Sequence, residues 1–214
     1  MGVSSPDQYS NSEVCYAYLQ DVPEPPSDMT KDWLHKEFTN ARWFTRGWTL
    51  REMIAPRKLE FFSRGWCPIR STSPFKRILE QRTRVPARVF GNQVSLQNMS
   101  IAQRMSWASE RETTRAEDMA YCLMGLFNIN MPMLYGEGDR AFIRLQEGII
   151  KNSDDMSIFA WVTPMSKFSA LSGLLASSPK LFATTGHVKW RANNNPPHEI
   201  TNKGIKLPLK IVPR

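Results

Sequence analysis

SIAQRMSWASERETTRAEDMAYCLMGLFNINMPMLYGEGDRAFIRLQEGIIKNSDDMSIFAW, residues 100–161, is the stretch on which the reading of the fold turns. Its spacing predicts two helices joined by a short turn and followed by a strand. Thr114 stands three residues before Glu117, the spacing of a capping box, so a helix is expected to begin there. Ala116, Ala120, Leu123, Met124 and Phe127 then recur at helical intervals and form an apolar stripe that requires a surface to pack on. Residues 128–132 should end it. The turn Tyr135-Gly136-Glu137-Gly138 precedes the second helix, which has Glu137 and Asp139 at its positive end and Lys151 at its negative end. Phe142, Leu145 and Ile149 share one face of that helix.

Upstream, residues 14–19 are rich in β-formers and read as a buried strand. Pro23, Pro25 and Pro26 enforce a loop by fixing φ and removing amide donors. Residues 32–38 suit a short helix. Residues 41–55 suit a longer one, with Trp43, Gly47, Leu50 and Ile54 on one face. Gly47 lowers helix propensity between two tryptophans, which implies that another backbone packs close to it. Residues 59–62 read as a second strand with Trp66 in the turn beyond, residues 73–83 as a helix, and residues 101–107 as a short helix; residues 89–98 fit no single pattern.

Downstream, residues 157–162, 187–190 and 204–212 are strand-like. Ser178-Pro179 opens a helical turn, and Thr201-Asn-Lys-Gly204 is a hairpin signal. The expected organisation is a polar segment 1–13, an α/β domain 14–162, and a β-rich extension 163–214 that looks incomplete.

The 214 residues carry a formal charge of +8, and 41% of them are hydrophobic, which excludes a mostly disordered chain. Between residues 56 and 115 twelve Lys/Arg face four Asp/Glu, so this segment accounts for the whole excess. Such a block attracts nucleic acid, anionic lipid or an acidic protein face. Without an interleaved aromatic motif or a recognition-helix pattern, a solvated Arg-rich surface is the favoured reading and nucleic acid the lesser one. Cys15, Cys67 and Cys122 are odd in number and widely spaced, which fits a reducing compartment and a cytoplasmic protein. No apolar run reaches membrane-spanning length, and Pro6 spoils the opening resemblance to a myristoylation site.

No catalytic, cofactor-binding or metal-binding residue is assigned. Gly136-x-Gly138-x-x-Ala141 matches a dinucleotide fingerprint only in spelling, because no buried strand precedes it. His35, His187 and His198 lie far apart, without Cys or acids at ligand spacing. Arg111, Arg115, Glu117 and Asp118 form a charged cluster in the sequence, read as a cap with ion pairs rather than an anion site, since acids already occupy the helix start. The seven tryptophans read as core anchors, and Cys15 and Cys122 as buried, inert thiols.

Several tracts go beyond what amphipathicity generates: Met105-Ser-Trp107, Arg111-x-Thr-Thr114-Arg115-x-Glu117-Asp118, Tyr135-Gly136-Glu137-Gly138 and Ser153-Asp-Asp155. With Val14-Cys-Tyr-Ala-Tyr-Leu19, Trp43-Phe-Thr-Arg46-Gly47-Trp48 and Ile54-Ala-Pro56, in this order, the chain resembles the fungal heterokaryon-incompatibility (HET) domain family. The resemblance implies a partial TIR-like α/β fold, with several helices around a small sheet. It also implies a role in fungal non-self recognition and programmed cell death, through protein partners or receptor domains. TIR relatives that cleave NAD⁺ make a hydrolase the enzymatic alternative. The family's N-terminal half, which would carry its catalytic motifs, precedes the Cys15 strand and has no counterpart here, so the module is expected to be truncated and non-catalytic. The signature residues are carried over as structural or interaction positions only, with no cofactor, metal or membrane contact.

Overall fold

A computed structural model describes residues 14–69, 75–92, 95–163, 173–191 and 198–207. The expected polar segment 1–13 and the stretch 208–212 of the last expected strand lie outside them. The chain divides into two compact units: Met1–Asn98 with Glu110–Thr114, and Met99–Ser109 with Arg115–Arg214. The described residues mix helices with two small sheets, an α/β composition.

In the first unit, strands β1 (Cys15–Tyr18) and β2 (Leu59–Phe62) run parallel, with Cys15 opposite Leu59 and Tyr18 opposite Phe62. Strand β3 (Pro68–Ile69) pairs antiparallel on the other side of β2. A parallel pair needs a long crossover, and helices α1 (Lys31–Trp33) and α2 (Thr49–Ile54) supply it. Thr30 caps α1 by accepting from the Trp33 amide at 3.2 Å. The helix then widens into a π turn over Leu34–Phe38, which buries Leu34 and Phe38. Helix α3 (Phe75–Thr83) buries Phe75, Ile78 and Leu79. The Phe38 ring meets Phe44, Phe61 and Phe75 at centroid distances of 5.0, 5.1 and 5.0 Å, so one aromatic cluster ties the sheet to three flanking segments.

The single helix expected over 41–55 is two pieces, a 3₁₀ turn Arg42–Thr45 and α2. Arg46 between them is extended and bridges to Glu112. The Gly47 amide donates to the Glu112 carbonyl at 2.9 Å, and the Glu112 amide returns a bond to Thr45. Strand-like pairing with a distant segment therefore displaces the local helical bonds, and the backbone expected close to Gly47 is that of Glu112.

In the second unit, helix α4 (Ile101–Ser106) opens with a capping box of Ser100 and Gln103. Helices α5 (Asp118–Tyr121), α6 (Met124–Phe127) and α7 (Arg140–Asn152) follow. The 13-residue α7 buries Ala141, Phe142, Leu145, Gln146, Ile149 and Ile150 along one face, with Lys151 in its last turn. A 3₁₀ turn, Pro179–Phe182, has Ser178 as its cap, and β4 (Glu199–Thr201) pairs antiparallel with β5 (Gly204–Lys206).

Three expectations change here. The stripe over 116–127 is broken at Cys122 and Leu123 into two short helices, the second stopped by Asn128 at φ 54°. Residues 157–162 do not form a strand: Met156–Phe159 is a 3₁₀ turn, because Asp155 accepts from the Ser157 amide and starts a helical turn. Residues 187–190 have no strand partner in the described structure. Among the described residues no helix is long and apolar enough to cross a membrane.

Candidate functional site

The signature residues divide into two clusters, one in each unit. In the first, the segment that pairs with Arg46 carries Arg111 into the interior, where it is only 2% exposed. Its guanidinium donates to the Arg46 carbonyl at 2.8 Å and to the Thr49 hydroxyl at 2.9 Å. The Thr49 hydroxyl in turn donates to the Trp43 carbonyl. One side chain thus holds the break between the 3₁₀ turn and α2 in place.

Glu52, one turn further along α2, feels both Arg46 and Arg111. Burial pushes its carboxyl up, while the two guanidiniums and the Trp43 indole pull it back. Burial, with a smaller push from Glu52, raises the Cys15 thiol and keeps it protonated. The cluster is a braced interior with a reluctant acid and an unactivated thiol. Trp43 and Trp48 are half-buried beside it, and Gly47 is buried.

In the second cluster, Glu117 does what was expected of a cap but at another place. Its helix begins at Asp118 without a side-chain cap, and no capping box forms between Thr114 and Glu117. Thr114 is exposed and belongs to the first unit. The Glu117 carboxylate instead accepts from the amides of Gly136 and Gly138 at 2.7 and 3.1 Å. Both glycines have positive φ, 103° and 59°, and their amides, on either side of Glu137, turn toward one acceptor. A bond from its own backbone amide, followed by those two, holds the Glu117 carboxyl below its ordinary range.

Glu137 is held the same way, chiefly by Arg144 and then by Tyr121. Arg144 also donates to the Pro132 carbonyl at 2.7 Å. The Tyr121 hydroxyl lies 2.9 Å from both the Leu134 carbonyl and Glu137. The ion pair expected between Arg115 and Asp118 is spanned by Tyr135: the guanidinium sits over its ring at 4.7 Å, and its hydroxyl donates to Asp118 at 3.0 Å. Five side chains thus clamp the loop between α6 and α7. That loop still presents Met133, Leu134 and Tyr135 to solvent at 37%, 53% and 48% exposure.

A carboxyl whose folded pKa lies below its unfolded value stabilises the fold above that unfolded value, and the contribution is lost as pH falls through the folded pKa. Glu117 and Glu137 both act in this sense. Glu117→Gln is therefore expected to lower the melting temperature at neutral pH and to converge on the parent as pH falls below about 4. Thermal melts of both proteins across that range check it, and a constant gap would show that charge is not what Glu117 contributes.

Met105 and Trp107 are core residues of the second unit. The tryptophans as a group are less buried than expected: Trp66 is 63% exposed and stacks on Tyr18 at 4.7 Å, and five others are half-buried. Cys122 is buried, whereas Cys15 and Cys67 are intermediate. Sequence reasoning missed Glu52, Tyr121 and Gln146, and it placed Asp155 only within a signature tract. The signal for Gln146 was present, a polar residue in the apolar stripe of α7; its amide exchanges bonds of 2.8 and 2.9 Å with the Ala176 backbone. Among the described residues no three His, Cys, Asp or Glu side chains gather as metal ligands.

Residues 140–202 match a family described as a domain of unknown function, DUF8212. The chain is also 41% identical over 146 residues to the vegetative incompatibility protein HET-E-1 of Podospora anserina, an alignment covering 67% of this chain and 11% of that protein. The chain therefore spans only a small part of the relative it matches. No solved structure matches it.

Proposed function

We propose that this chain is a protein-docking module of vegetative incompatibility, acting in the cytoplasm as a non-catalytic part of a HET-type, TIR-like signalling domain. The observation that carries the reading is the 41% identity to a vegetative incompatibility protein. The second cluster suits such a role, because its ionisable groups are spent on bracing a loop whose apolar tip faces solvent. Nucleic acid fits less well: Arg82 and Arg84 share Glu110, and Arg104 and Arg111 point into the interiors of their own units.

Expression of the full chain, fused to an inducible dimeriser, in a filamentous fungus tests the proposal. Forced clustering is expected to arrest growth. Leu134→Asp combined with Met133→Asp, both at exposed positions, should abolish arrest without changing the melting curve. Arrest by the double variant would remove the loop from the mechanism, and no arrest by either protein would remove the signalling role. In parallel, steady loss of NAD⁺ on incubation with the purified chain would overturn the non-catalytic reading in favour of the hydrolase alternative.

A further inference from the structure

The first unit contains a groove of about 500 Å³ that touches the signature tracts only at Pro56, a size typical of small-molecule sites. Its lining is mixed, with an apolar floor. Met53, Phe61, Phe75 and Leu79 supply atoms from α2, β2 and α3, and Phe90 adds a further apolar wall. Polar atoms make up much of the rest of the lining, and its charged side chains are nearly all of one sign: Arg57, Lys58 and Lys76 against Glu60. Lys58 already neutralises Glu60 across 2.6 Å. Arg57 and Lys76, both exposed, have no acceptor among the described residues.

A trough with an apolar floor and two cations that have no acceptor among the described residues is complementary to a molecule with a hydrocarbon body and one anionic end. A neutral lipid would leave the cations unanswered, a cationic amphiphile would be repelled, and a bare inorganic anion would make no use of the floor. We propose that this groove binds a free medium-chain fatty acid, its acyl chain against Phe61, Phe75 and Leu79 and its carboxylate between Arg57 and Lys76. The guanidinium and ammonium donate charge-assisted hydrogen bonds to the carboxylate oxygens, and burial of the chain supplies most of the affinity.

The test is displacement of a dansyl-labelled undecanoate probe from the full-length chain by dodecanoate, below its micelle concentration. Saturable probe fluorescence, displaced by dodecanoate but not by dodecanol or dodecyltrimethylammonium, is expected. The double variant Arg57→Glu and Lys76→Glu changes exposed side chains that have no partners among the described residues, so it should fold as the parent does while binding at least about tenfold more weakly. Added salt should weaken parent binding more than variant binding. Equal displacement by the neutral and cationic analogues would reduce the effect to partitioning of a tail into an apolar surface and overturn the proposal. So would unchanged affinity in the double variant. Absence of saturable binding would overturn it too, as would exclusion of the probe by a second copy of the chain, seen as a dimer in light scattering.

Discussion

Replacing Arg111 with alanine is expected to lower the stability of the first unit by about 3–5 kcal/mol, the range for removing one partner from a buried charged network. Three losses combine. The Arg46 carbonyl and the Thr49 hydroxyl lose a donor, a large side chain with 2% exposure leaves a void, and Glu52 loses one of its two flanking guanidiniums. Arg111→Lys should rescue little, since an ammonium on a flexible stem lacks the planar fork. The pH dependence separates charge from packing. Glu52 already has a raised folded pKa, so its contribution favours the fold below its unfolded value and is lost as pH rises through the folded one. Without Arg111 the folded pKa rises further, and the deficit of the variant should shrink under acid conditions where Glu52 is neutral. Urea unfolding across the acid range measures this. Hydrogen exchange localises it: the Gly47 and Glu112 amides should lose protection while those of α7 keep theirs.

Asp155→Ala is expected to cost the second unit roughly 2–4 kcal/mol, the sum of two buried amides left without acceptors. The first amides of α4 form a complete account. Ile101 donates to Asp155 at 2.7 Å, Ala102 to the Ser157 hydroxyl at 3.0 Å, Gln103 to the Ser100 hydroxyl at 3.1 Å, and Arg104 to the Ser100 carbonyl. Asp155 also starts its own 3₁₀ turn through the Ser157 amide at 2.8 Å. One carboxylate therefore begins two helical segments that are over fifty residues apart in sequence. Burial lowers the Arg104 guanidinium to about 10, against the charge of Asp155, which raises it. Removing Asp155 should lower it further, so the variant also loses support for a buried cation. Asp155→Asn keeps one acceptor and should fall between the parent and alanine. Faster exchange of the Ile101 and Ser157 amides, with Gly47 and Glu112 unaffected, is the expected signature, and a loss of protection spread evenly over both units would refute it.

Elements that depend on local chemistry were legible. Strand β2 falls on the four residues expected, α7 starts after Asp139 and ends at Asn152, just past Lys151, and Thr201 to Gly204 turns a hairpin, because periodicity, dipole-matched charges and turn residues act within a few positions of one another. Several of the failures share one cause. A distant backbone offered better bonds than the local helix at Arg46, and two glycine amides claimed the carboxylate of Glu117 that the sequence spacing offered to Thr114. Likewise Asp155 took the amides of Ile101 and Ser157 and turned an expected strand into a 3₁₀ turn.

By itself the sequence determined the mixed helix-and-strand composition, the amphipathic face of α7, the turn glycines and the signature that links this chain to a vegetative incompatibility protein. Tertiary structure alone decided that Arg111 and Arg115, four residues apart, serve different units, and that Glu117 braces a loop instead of capping its own helix. It also decided that a groove lined by Arg57 and Lys76 opens beside β2. Hydrophobic spacing reports which side of an element is buried, but the partner of a buried polar group is set by whatever the fold brings within about 3 Å, and linear spacing carries no record of that distance.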